Sequence, residues 1–231
     1  MASHFSGFTP ATVNFLRDLK SNNVKSWFDA HKSDYEKYVK EPSLALIATM
    51  NERFADLGVP YISTPKASMF RIYRDVRFSK NKDPYKTNIG LFFPFSHKNL
   101  DNRPVEAPGV YLHIDPDEIF IGGGLHMPMP EQLRSIRERI ADEWKDLEAI
   151  TKSPKFLSEF PKGLRGESLQ RVPRGYAQDH PAADLLKLKQ FGASAKISEK
   201  EIATEQIIDI IESKSLTIAP LLVFLAEALT E

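Results

Sequence analysis

The chain has no cysteine among its 231 residues. That excludes disulfides, thiolate metal sites and cysteine nucleophiles, and it fits a reducing compartment. It also lacks an excess of charge of either sign. The 31 Lys and Arg balance 31 Asp and Glu, and the pI is near 7.0. A dedicated nucleic-acid binder usually carries a basic domain, so this balance argues against one. No apolar run is long enough to span a bilayer. The longest, residues 216–229, contains Pro220 and Glu227 and reads as a core helix. The first residues, Met-Ala-Ser-His-Phe-Ser-Gly-Phe, lack a basic region followed by an apolar run, so no signal peptide is expected. Cytoplasmic location and no membrane partner are the expectations. There is no HExxH helix, no GxSxG elbow, no phosphate-binding loop and no dinucleotide fingerprint. No internal repeat or low-complexity tract is present.

What is present is ordinary globular composition, 42% hydrophobic and 27% charged, with length enough for a sizeable core. The order of patterns predicts an α+β fold: a mainly antiparallel central sheet with helical N-terminal and C-terminal segments around it. One domain over 1–231 is expected, helical in 9–58, with a sheet core in 66–125 and helices and loops in 130–231.

Thr9-Pro10 starts a helix, and Asn22-Asn23 breaks it. A second helical segment carries Trp27, Phe28, His31, Tyr35 and Tyr38, with His31 and Tyr35 read as packing. Pro42 opens a third helix and Gly58 ends it. Alternation predicts strands at 69–78, 88–95, 109–114 and 118–124, with a polar loop over 96–108. Asp115-Pro116-Asp117 is a turn. As a two-residue loop it sets Ile114 against Ile119 and His113 against Phe120. Gly122-Gly123-Gly124 suits a bulge or close packing better than a phosphate cradle. Pro130 begins a long helix to Ile150. Asp179-His180-Pro181 caps a helix to Leu188, and residues 189–197 suggest a last strand. Ser198 with Glu201 forms a capping box, and a separate final helix is expected over 219–229.

The most informative stretch is Arg71-Ile-Tyr-Arg-Asp-Val-Arg-Phe-Ser-Lys-Asn-Lys-Asp-Pro-Tyr-Lys86. It holds six cations and two carboxylates in a chain of zero net charge. Strand alternation would place Arg71, Tyr73, Asp75 and Arg77 in one polar row, and Phe70, Ile72, Val76 and Phe78 on the apolar face with Arg74. Guanidinium groups in a row suit phosphate or carboxylate, because each offers planar paired donors and stays charged. The same row also suits a solvated face with ordinary ion pairs.

If the polar row meets the Tyr111 and His113 side of the next hairpin, the two form one site. Arg71, Arg77 and Lys86 would hold an anion there, and Tyr85, Tyr111 and Arg174 would close the site. His113, Tyr73 and Asp75 would be the candidates for proton transfer, with His113 and Asp75 as an acid/base pair. Two other readings stay open. The interleaved aromatics and cations of 71–86 would suit a non-enzymatic nucleic-acid or protein interaction module, but Phe78 on the apolar face weighs against nucleic acid. His113, Asp115 and His180 imitate the ligand set of a non-haem metal oxygenase. Asp115, before a proline, would more ordinarily bond its own backbone. No metal ligand is assigned, no cofactor is indicated, and the residues leave both catalysis and oligomeric state open.

The Arg-x-Tyr-Arg-Asp-x-Arg-Phe-Ser-Lys-x-Lys-x-Pro-Tyr-Lys run resembles the hallmark of an uncharacterised conserved family, a domain of unknown function found in bacteria and fungi. Asn22-Asn-x-x-x-Trp-Phe28, Gly109-x-Tyr-x-His113, Gly122-Gly-Gly-Leu125, Pro173-x-Gly-Tyr176 and Asp179-His-Pro181 are similar to other parts of it. The resemblance extends from about Phe5 onward. It implies a single-domain protein of this length and carries no activity, substrate or cofactor.

Overall fold

Pro42 shapes the N-terminal half. Proline has no N–H, so the carbonyl four residues earlier loses its helical donor. That carbonyl belongs to Tyr38, and the fully buried Thr12 hydroxyl donates to it at 2.7 Å. Thr12 lies on helix α1, Pro10–Ser21, which stops at Asn22 as the sequence predicts. After α2 (Lys25–Ala30) and α3 (Lys32–Tyr35), residues Glu36–Lys40 form a π-helical turn and lead into α4 (Glu41–Asp56) with helical backbone throughout. The break expected before Pro42 is therefore a change of helix type. Proline is tolerated at the first turn of α4, and the π turn absorbs the mismatch.

The computed structural model describes residues 5–96 and 107–230. Most of the expected 96–108 loop lies outside them. After α5 (Pro65–Ser68), the strands are β1 (Ile89–Pro94), β2 (Gly109–Ile114), β3 (Ile119–Leu125) and β4 (Phe191–Lys196). They form one antiparallel sheet in the order β1-β2-β3-β4. The α+β reading holds. Helices α6 (Pro130–Thr151), α7 (Pro154–Glu159) and α8 (Ala183–Leu186) come before β4, and α9 (Glu199–Ile202) and α10 (Gln206–Glu227) follow it. Among the described residues, no helix is long and apolar enough to cross a membrane.

Two expectations are corrected. Residues 69–78 are not a strand, so the strands begin at Ile89 and not near residue 66. The segment makes one bridge to the sheet, Met69 with Leu91, and one to its own return, Tyr73 with Tyr85. Pro84 accepts from the Arg74 N–H at 2.9 Å but has no N–H to return, so the ladder stops there. Without a partner strand the alternation does not become two faces. Ile72 is buried, whereas Phe70 is 41% and Phe78 95% exposed. The second correction is α10, which runs through Pro220 where a new helix is expected. Ile218, Leu221, Leu222 and Leu225 are fully buried on both sides of the proline. Burial on that scale outweighs one lost helical bond.

The described residues cluster into two compact units. The first comprises 5–93, 111–121 and 196–212; the second comprises 94–96, 107–110, 122–195 and 213–230. In the first, Phe54 of α4 meets Phe93 of β1 edge-on at 5.6 Å, and Phe28 of α2 stacks on Tyr85 at 4.1 Å. His31 stacks on Trp27 at 4.1 Å, which is the packing role read from the sequence. In the second, Arg139 of α6 donates to Glu143 at 2.8 Å and to Glu227 of α10 at 2.7 Å, and its guanidinium lies over Phe224. Arg137, next along α6, donates to the Leu186 and Leu188 carbonyls at 2.9 and 3.1 Å. Arg165 and Ser168 bridge to Gly192 and Leu188, along and just before β4.

Candidate functional site

The β2–β3 hairpin is the frame. Asp115 N–H donates to the Glu118 carbonyl at 3.1 Å, which makes Pro116-Asp117 a two-residue loop. Ile114 then faces Ile119 and Leu112 faces Ile121, and all four are buried. His113 faces Phe120 on the opposite side, and the two rings stack at 4.8 Å with 20° between their planes. Asx bonding tightens the turn, since Asp117 N–H donates to the Asp115 carboxylate at 3.0 Å.

Three polar groups converge beside this stack. Tyr111 Oη lies 3.2 Å from His113 Nδ1, and the Asn88 amide nitrogen lies 3.4 Å from the same atom. Two donors aimed at Nδ1 make it the acceptor, so the neutral ring carries its proton on Nε2. Burial lowers the His113 pKa below its ordinary 6.5, and Asp115 and Glu118 offset part of that effect. Burial also raises the Tyr111 phenol, with the Asn88 hydrogen bond acting against it. Both groups are therefore held in their neutral forms near neutrality.

Gly90 of β1 admits two rings to this face. A Cβ there would sit 2.7 Å from Tyr111 Oη and 2.9 Å from Phe70 Cδ2. Phe70 approaches Tyr111 edge-on at 6.0 Å, and Lys86 Nζ lies 5.2 Å from the centre of the Phe70 ring. Partial burial lowers the Lys86 pKa, and the positive charge of Arg71 lowers it further. Among the described residues, no carboxylate lies within ion-pair distance of either cation. Two neighbouring cations, one of them partly desolvated, thus lie on the Phe70 side of this face, and Phe70 in turn meets Tyr111.

The other predicted residues lie elsewhere or have other partners. Arg77 grips Asp75, its Nε to Oδ1 at 3.0 Å and a terminal nitrogen to Oδ2 at 2.6 Å. Those bonds hold the Asp75 carboxyl below the usual carboxylate range. Asp75 therefore partners Arg77, and His113 partners Tyr111 and Asn88. Tyr73 is 52% exposed and leans on Phe28 and Tyr85. Tyr85 is buried, with its backbone N–H and C=O both held by the Asn23 side chain. Arg174 is exposed in the second unit. His180 Nδ1 accepts from Ala182 N–H at 3.0 Å, but α8 starts only at Ala183, with Ala182 at its N-cap and no side-chain capping bond, so the cap expected at Asp179-His180 does not form. Among the described residues, no three His, Cys, Asp or Glu side chains form a group able to hold a metal, so His113, Asp115 and His180 do not assemble. Sequence reasoning missed Phe70 and Asn88. Asn88 alternates onto the Gly90 side of β1, a signal legible in the sequence; the alternation of 69–78 places Phe70 on the apolar face.

The family model of a conserved hypothetical protein, DUF2461, matches residues 11–224. The chain belongs to this family. Every motif that carried the resemblance lies inside the matched span: the Arg71–Lys86 run, the Tyr111 and His113 strand, the glycine run and residues 173–181. No curated protein and no solved structure matches the chain.

In this DUF2461 protein the lowered His113 pKa has a thermodynamic consequence. The unfolded chain binds the His113 proton near 6.5, and the folded chain binds it only at lower pH. Stability from this group is complete above 6.5 and declines as pH falls toward the folded pKa. An NMR titration of the His113 ring should give a midpoint below 6.5. His113→Gln should flatten the fall in stability over the same window. A midpoint at or above the ordinary value would mean that the ring is better solvated, or better paired with Asp115, than its stack on Phe120 implies.

Proposed function

We propose that the first unit binds a small anionic molecule, bearing phosphate or carboxylate, on the face that carries Arg71, Lys86, Tyr111 and His113. The observation behind this reading is the adjacent Arg71 and Lys86, with no carboxylate partner among the described residues and with Lys86 partly desolvated against Phe70. An anion between them would relieve the repulsion and supply the missing partner. Arg71 would give the paired donors and Lys86 the point charge. Tyr111 would add a neutral donor. His113 Nε2 is the position from which a proton could be exchanged with the ligand, with Tyr111 and Asn88 fixing the tautomer. Arg77 has a smaller part in this scheme than the alternating row suggests, because Asp75 already neutralises it.

The test is thermal unfolding with a panel of phosphates, sugar phosphates, nucleotides and dicarboxylates, on wild type and on Arg71→Ala with Lys86→Ala. Saturation at about 100 times the dissociation constant adds about 2.7 kcal/mol. For a chain of this size that is roughly 5–11 °C in Tm. One class of anion should stabilise the wild type by that amount and leave the double variant unmoved. Both side chains reach solvent, so the variant should fold. A panel without effect on the wild type, or with equal effects on both proteins, would end this reading.

A further inference from the structure

The tip of the loop between Arg74 and Asp83 is built to present a ring. Lys82 Nζ reaches across to the Val76 carbonyl at 3.0 Å. Asp83 N–H donates to Asn81 Oδ1 at 2.8 Å, and Arg74 N–H donates to the Pro84 carbonyl at 2.9 Å. The excursion is held by its own hydrogen bonds. Phe78 stands at its end, 95% exposed, with the Arg77 guanidinium 5.8 Å from its ring centre. Tyr73 is 52% and Phe70 41% exposed on the same segment.

Charge decides what such a surface would take. Residues 71–86 carry six cations against two carboxylates, a local net of +4 in a neutral chain. Asp75 is taken up by Arg77, and Asp83 lies 3.9 Å from Arg74. Lys80 is exposed, two residues along the chain from Phe78. Exposed aromatic faces interleaved with cations suit a strand of unstacked bases, because every base has a π-face and every nucleotide a phosphate. The alternation of the sequence hid this by putting Phe78 on an apolar face.

We infer that the 71–86 loop binds single-stranded nucleic acid, with Phe78 as a stacking platform and Lys80 as a phosphate contact. The proposal goes beyond the small-molecule site and does not depend on it.

Fluorescence anisotropy of labelled 12-mer dT and U oligonucleotides, titrated with the full chain from 25 to 200 mM salt, tests it. Wild type should bind, with affinity falling as salt rises. Phe78→Ala should weaken binding by about fivefold or more, the worth of one stacked base. Lys80→Ala should lower the salt slope by about 0.7. Phe78 is almost wholly exposed, so unchanged circular dichroism and Tm should accompany its loss of binding. No binding at 25 mM salt overturns the proposal. So does binding that Phe78→Ala leaves intact. Binding to vesicles containing phosphatidylserine, or to an acidic peptide, with none to the oligonucleotides would assign the loop to a membrane or a protein and would equally overturn it.

Discussion

Gly124→Ala should cost about 3 kcal/mol or more of folding free energy, the sum of a strained backbone and a lost strand contact. Gly124 has φ +135, a conformation that side chains rarely adopt, and an added Cβ would lie 1.9 Å from the Phe191 carbonyl oxygen. The obstacle is backbone, so no rotamer change relieves it. Its neighbours are nearly as constrained. A Cβ at Gly122 would meet the Ala193 carbonyl at 2.8 Å, and one at Gly123 the Ile218 side chain at 2.9 Å. The glycine run is therefore occupied by the approach of β4 and α10, and its role is close packing. A loss of about 3 kcal/mol corresponds to roughly 6–12 °C in Tm for a chain of this length. Urea unfolding of Gly124→Ala and, as a control, of Gly58→Ala measures it. Gly58 also has positive φ, +63, in the better tolerated left-handed region and with open space around its Cβ position, so it sets the scale of a positive-φ cost without a steric clash. If the two variants lose equal stability, the close approach of Phe191 contributes nothing and the argument fails.

Glu159→Gln should cost about 2 kcal/mol, the scale of a hydrogen bond to a charged group. Lys214 of α10 is only 12% exposed along its side chain. Its ammonium donates to the Glu159 carboxylate at 2.7 Å and to the Glu159 carbonyl at 2.8 Å, and lies 5.2 Å from the centre of the Phe160 ring. Removing the carboxylate charge leaves that ammonium poorly solvated and only partly paired, which costs more than losing an exposed pair. The same pair fixes the pH dependence. Hydrogen bonding from Lys214 is the main cause that lowers the Glu159 pKa below its ordinary 4.5. The contribution is thus fully present above 4.5 and is lost as pH falls through the lowered value. Chemical denaturation of wild type and variant at several pH values should show two curves that are apart at neutrality and converge in acid. A constant gap across that range would assign the cost to packing and not to charge.

Residues whose role is set by their near neighbours were legible in the sequence. Pro10, Asn22, Pro130 and the Ser198–Glu201 capping box act within a turn of chain, and each marks a helix end in the structure. The Asp115-Pro-Asp turn carried enough information to set His113 against Phe120. Residues 69–78 mark the limit. Their alternation is real, but a strand needs a partner whose N–H groups continue the ladder, and Pro84 supplies none. Of the candidate site, the sequence pattern offers Tyr111, His113, Arg71 and Lys86 as candidates, whereas Phe70 and Asn88, which pack against Tyr111 and His113, are not among them. The pairing of Asp75 with Arg77 consumes groups that the sequence offers as free, and the Tyr85 ring is buried against Phe28.

The sequence by itself determined the class of fold, the family, the ends of several helices (α1, α4 and α6) and the hairpin register, because capping, turn chemistry and apolar period operate over a few residues. Only the tertiary structure decided which charges remain unpartnered, which rings reach solvent and which glycines are filled by a neighbouring backbone. Those properties depend on atoms far apart in the chain, such as Lys214 and Glu159, or Gly124 and Phe191, and nothing in the local pattern specifies such distances.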